Sequence, residues 1–195
     1  MESGTWIDVL LVLAFVLMGG VFASTEMALV SLRAGQVDRL EAQGGRGRAV
    51  ASLARDPNRF LSAVQIGVTV AGFFSAAFGA STLAPSFAPA FERIGAPAPE
   101  TTSLVVVTLV VSYLSLVLGE LTPKRLALQR PEGVARLFAP PLGFFAKVMT
   151  PVIWVLSVST NAMVRLLGGN PDAAGDEVDE EELRLMISGH EDIPT

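Results

Sequence analysis

The chain has 195 residues, of which 51% are hydrophobic and 17% charged, and its mean hydropathy is +0.52. Soluble domains carry about a quarter charged residues, so the composition is that of a membrane protein. Cysteine is absent and the single histidine is His190, which excludes a disulfide framework, thiolate or His-based zinc sites and a Ser-His-Asp array.

The net charge of −5 is unevenly placed. Residues 170–195 hold nine acids against one Arg, a balance of −8, and the remainder has 13 basic and 10 acidic residues, a balance of +3. Acidity therefore belongs to a tail. The first apolar run, Trp6 to Leu32, is interrupted by Asp8 near its start and Glu26 near its end. Met1-Glu2-Ser3-Gly4 lacks a basic leader, and the run is too long for a signal peptide, so it is expected to stay as a membrane anchor. Gly19-Gly20 precedes Phe22-Ala-Ser-Thr-Glu-Met-Ala-Leu-Val-Ser31, where Ser24 and Ser31, seven residues apart, share a helix face. Such hydroxyls either bond back to their own helix or serve as ligands. Glu26 is about 200° round the helix from Ser24. It is expected to pair with a base such as Lys124 or Arg125, or to cap a bent helix.

A connector with Arg33, Arg39, Arg46, Arg48, Arg55 and Arg59 follows. Its Gly44-Gly45-Arg46-Gly47 lacks the Lys-Ser/Thr of a phosphate loop and reads as a turn. The second apolar run, Phe60 to Phe91, contains no charge. Gln65, Thr69 and Gly72 form an i, i+4, i+7 stripe; Gly67, Gly72 and Gly79 suit close helix packing, whereas Gln65 and Ser75 offer neutral oxygens. Arg93 is the only basic residue of the next connector, beside the turn Gly95-Ala-Pro-Ala-Pro99.

The third run, Thr101 to Thr122, is uncharged until Glu120. About 20 helical residues cross a bilayer, so all three runs can span, and a carboxylate at the end of such a run reads as a functional site. Pro123 has no N–H for the carbonyl four residues back, that of Gly119. A freed carbonyl beside a carboxylate, at a helix broken by Pro, predicts half of a cation site. Hydroxyl, amide, carbonyl and carboxylate ligands suit hard cations such as Mg2+, Ca2+ or Na+.

Lys124, Arg125, Arg130 and Arg136 follow, basic as membrane-flanking residues usually are. The arginine asymmetry places the N-terminus outside and the 33–59 loop inside. Basic loops are explained by topology, so no nucleic-acid partner is expected. The fourth apolar segment, Val134 to Leu167, contains Pro140, Pro141, Pro151 and Lys147. It is expected to lie along the inner interface as a bent belt with Arg136, Lys147 and Arg165 reaching lipid headgroups, keeping the tail inside. A fourth crossing would put the tail outside.

Three segments carry a family resemblance: Phe22 to Ser31, Asn58-Arg-Phe-Leu-Ser-Ala-Val-Gln-Ile-Gly67, and Gly119-Glu-Leu-Thr-Pro-Lys-Arg-Leu-Ala-Leu128. Together they resemble the transmembrane domain of the CorC/CNNM (cyclin M) magnesium transporters over residues 5–169. The resemblance implies an all-α integral membrane fold of three transmembrane helices plus a cytoplasmic juxtamembrane belt helix, dimeric, in the plasma (inner) membrane. It implies export of Mg2+, with Na+ as the candidate exchange ion, and no enzymatic activity. It also implies a Mg2+ site around Glu120 with Ser24, Ser31, Gly119, Gln65 and Ser75, while Pro123, Lys124 and Glu26 take gating or structural parts. Many members have Asn where Gly72 stands here, which puts a ligand there in doubt and leaves Ser75, one turn on, as a substitute. Residues 170–195, with Glu180-Glu-Glu-Leu-Arg-Leu-Met-Ile187, look like the acidic start of a linker to CBS domains; those would bind ATP and are expected to be missing from this chain. Two other classes stay open. One is a Mg2+-sensing membrane scaffold that moves no ion, and the other is an intramembrane enzyme using Glu120 with a hydroxyl.

Overall fold

The computed structural model describes residues 3–171, and these residues form helices joined by short turns. The acidic tail expectation, Asn170 onward, falls almost wholly outside the described residues. Two units are resolved by their internal contacts, residues 1–149 and residues 150–195.

In the first unit, α1 (Ser3–Val30), α4 (Pro57–Phe78) and α6 (Pro99–Leu116) are the spanning helices. With their continuations they give apolar spans Gly4–Val30, Pro57–Arg93 and Pro99–Gln129. Leucine, valine and phenylalanine cover much of their outer surfaces, Phe73 at 71% exposure among them, as expected where the surrounding solvent is hydrocarbon. Between α1 and α4 stand two short helices, α2 (Ala34–Ala42) and α3 (Arg46–Ala54), turned at Gly44 and Gly45, whose φ values of 69° and 53° suit glycine. Gly47 is required for a different reason: a Cβ there would collide with the Leu40 carbonyl oxygen. Ion pairs brace this hairpin. Arg55 bridges Asp38 and Glu41, and its hydrogen bond holds the Glu41 carboxyl below its ordinary range. That contribution is present at neutral pH and is lost as pH falls through the lowered value.

The second span changes register at a π-turn, Gly79–Leu83, and continues as α5 (Ala84–Arg93), which returns through Gly95 and Ala98 to α6. Val12, Leu83, Ala84, Val107 and Val111 form a buried cluster between α1, α5 and α6. The third span likewise passes a π-turn, Val117–Leu121, and goes on as α7 (Thr122–Gln129). The expected break at Pro123 is thus a shift of register, and the helix continues through it. A π-turn already gives up the i→i+4 bond in favour of i→i+5, so a residue without an N–H is accommodated without ending the helix.

Helix α8 (Pro131–Val148) runs unbroken through Pro140 and Pro141, burying Ala135, Ala139, Leu142 and Ala146 on one stripe. The fourth apolar segment is therefore two helices divided at Met149, and not one run interrupted by the proline pair. At its start Glu132 accepts from Gln36 and pairs with Arg39 at 2.7 Å, tying α8 to α2. The second unit contributes α9 (Thr150–Leu166), an apolar helix with no buried residue.

Candidate cation site

Helix α1 meets the third span at backbone distance. A Cβ on Gly119 would lie 3.0 Å from the Val16 carbonyl oxygen, and one on Gly20 would lie 3.0 Å from Pro123 Cγ and 3.1 Å from the Leu118 oxygen. Only glycine on both sides permits this approach. The Thr122 N–H donates to the Val117 oxygen, five residues back. In that register the donor due to Leu118 is Pro123, which has none, just as Pro123 is the missing i+4 donor for Gly119. Sequence reasoning found only the Gly119 carbonyl. The π register adds that of Leu118.

Beside this turn lies a cavity of about 280 Å3, lined by residues from all three spans, among them Gly19, Gly72, Ser112, Ser115, Gly119 and Glu120. Phe15 also lines it and stacks on Phe74 and Phe78, with ring centroids 5.3 and 5.6 Å apart. Ser75, fully buried, lies 3.5 Å from Ser115 across the α4–α6 contact. Glu120, Gly119, Ser112 and Ser115 thus line one cavity, and Ser75 sits behind Ser115 without lining it. Ser112 and Ser115 escaped sequence reasoning. Their signal was available, since Ser112 precedes Gly119 by seven residues and so shares its face.

Other expected ligands are elsewhere. Gln65 is exposed and donates to Thr69 at 3.3 Å. Ser24 donates to the Val21 oxygen at 3.0 Å, and Ser31 donates to the Met27 oxygen. Their spacing of seven residues puts them about 10 Å apart along the helix. Metal–oxygen bonds to Mg2+ are about 2.1 Å, so one ion cannot bind both directly. Ser24 lies one turn beyond Gly20, on the face turned to Pro123. Its lone pairs remain available for a cation, because the hydroxyl uses only its proton in the back-bond.

Among the described residues Glu120 pairs with Lys124. Lys124 Nζ is 3.2 Å from Glu120 Oε1 and 3.5 Å from Glu26 Oε2, so the ammonium bridges carboxylates on two helices. Among the described residues no group of three or more His, Cys, Asp or Glu side chains gathers to hold a metal. A cation here would have one carboxylate with hydroxyl and carbonyl oxygens, a set suited to hard ions.

Comparison with known proteins agrees with this architecture. Residues 10–192 match the model of the cyclin M transmembrane N-terminal domain. A UPF0053 protein of Synechocystis is 39% identical over 95% of this chain, and the match covers 42% of that relative. UPF0053 protein YhdP of Bacillus subtilis is 29% identical over 93% of the chain and 42% of its own length. The polyamine export protein of Haemophilus influenzae is 29% identical over 81% of the chain and 37% of its own length. The chain thus spans about two fifths of the length of these relatives.

Proposed function

Because the chain belongs to the cyclin M (CorC/CNNM-type) transmembrane-domain family, we propose that it is the ion-conducting part of a Mg2+ exporter in the plasma (inner) membrane, with Na+ as the exchange ion. The observation that carries this reading is the Glu120 carboxylate beside a π-turn, at a cavity that otherwise offers only hydroxyl and carbonyl oxygens. One negative charge in a low-dielectric pocket attracts a divalent cation strongly, and an irregular helix register lets carbonyls face the ion. ATP would act only through a CBS region of the whole protein.

The N-terminus is outside, and the α2–α3 hairpin and the C-terminus are inside, with α8 as the start of an interfacial belt. Its first turn is anchored to the Arg-rich hairpin through Glu132. Cysteines placed at Gly45 and at Ala96 should label from opposite faces of the membrane, Gly45 from the cytoplasm; labelling of both from outside would overturn the topology. The working unit is a homodimer. Gln65 and Thr69 bond to each other on an exposed face of an apolar helix, where polar groups gain from a partner helix.

A second reading has its own observation. Lys124 shows a primary alkylammonium seated against Glu120, the group that a polyamine would present, and one relative is described as a polyamine export protein. Flux into protein-only liposomes separates the readings. The expected result is Mg2+ flux that excess spermidine does not abolish. Spermidine flux without Mg2+ flux would favour the polyamine, and binding without any flux would leave a sensing scaffold.

A further inference from the structure

We infer that Lys124 is a tethered counter-cation, which neutralises Glu120 between transport events and is passed to Glu26 when a cation reaches the site. The inference rests on the cation-transport reading above and concerns how the site releases its ion.

The geometry supplies both stations. Nζ is 3.2 Å from Glu120 Oε1 and 3.5 Å from Glu26 Oε2, so a change of a few side-chain torsions moves it wholly to either. The tether's root is fixed. Pro123 abuts Gly20, and Ala127, one turn beyond Pro123, is fully buried, so Nζ moves without the helix moving. The three side chains are between 28% and 40% exposed, open enough to exchange partners and sheltered enough for charge to matter. Lysine suits this work: its ammonium is a compact point charge on a flexible stem, whereas a guanidinium fork would clamp one carboxylate or bridge both. Arg125, next in the chain, is exposed and makes no ion pair among the described residues.

The charges explain the second acid. Glu26, Lys124 and Glu120 together carry −1. When Nζ moves to Glu26 a neutral pair forms there, and the full charge of Glu120 becomes available to the arriving cation. Without Glu26, Nζ would have no alternative partner and would compete for Glu120 throughout. When the cation leaves, the returning ammonium replaces it, so Glu120 is never left uncompensated in an apolar span, where a lone carboxylate is costly.

A simple structural strut between α1 and α7 makes a different forecast, and two substitutions of opposite sign separate them. Mg2+ binding to the full chain in detergent is measured by titration calorimetry, and Mg2+ flux in liposomes. Lys124→Met removes the competitor, so Mg2+ should bind about tenfold tighter while flux falls, because release loses its replacement charge. Glu26→Gln confines Nζ to Glu120, so Mg2+ should bind about fivefold weaker. Unchanged or weaker binding in Lys124→Met overturns the tether. If that variant does not fold, Glu26→Gln decides alone, and unchanged or tighter binding overturns it. Glu120→Gln keeps the two levels apart. Loss of binding there with no tightening in Lys124→Met removes only the tether, whereas retained binding removes the cation site itself.

Discussion

Glu120→Gln is expected to lower Mg2+ affinity by at least about 100-fold, roughly 3 kcal/mol, and to abolish flux, in a protein that still folds. The amide keeps the shape of the carboxyl group and its place at the cavity, but removes the one negative charge lining it. Hydroxyls of Ser112 and Ser115 and the carbonyls of the π-turn remain, and neutral dipoles alone do not offset the desolvation of a divalent ion. Glu120 is partly exposed and pairs with Lys124, so the folded state does not depend on its charge. Calorimetric titration and liposome flux on a monodisperse variant provide the check. Wild-type affinity would remove Glu120 from the site.

Gly119→Ala should have the next largest effect, because it acts on the contact that shapes the cavity. The added methyl would lie 3.0 Å from the Val16 carbonyl oxygen and 3.4 Å from Val16 Cγ1, both on the facing helix. A backbone oxygen cannot rotate away, so α1 must move off the π-turn. Over-packing of this kind costs about 1–3 kcal/mol. The expected outcome is a lowered thermal midpoint and flux reduced about tenfold or more, since Gly19 and Gly119 line the same cavity. Gly72→Ala is the control. A Cβ at Gly72 meets nothing within 4 Å, although Gly72 lines that cavity too. Equal losses in the two variants would show that cavity volume matters and the helix contact does not.

These two expectations differ in how far the sequence alone supports them. Glu120 is legible because a carboxylate in an uncharged run of spanning length has few explanations other than function. Gly119 is legible only as a carbonyl ligand; that its missing Cβ admits the backbone of α1 is a property of two helices packed together.

The sequence by itself determined the three spans, because hydrophobic length against bilayer thickness is a one-dimensional quantity. It also determined the turns at Gly44-Gly45 and Gly95–Pro99, where residue type restricts φ locally. Tertiary structure decided the rest. Pro123 could end a helix or be absorbed by a register shift, and the shift stands here against α1, where Gly20 lets Pro123 and the Leu118 carbonyl approach. Gln65, Ser31, Ser112 and Ser115 are chemically equivalent as neutral oxygens. Only the rotation and depth of each helix against its neighbours put Ser112 and Ser115 at the cavity of Glu120 and left Gln65 on an outer face. Sequence spacing fixes which residues share a face of one helix, but which faces meet is set by close packing between helices, and that is where a ligand set is assembled.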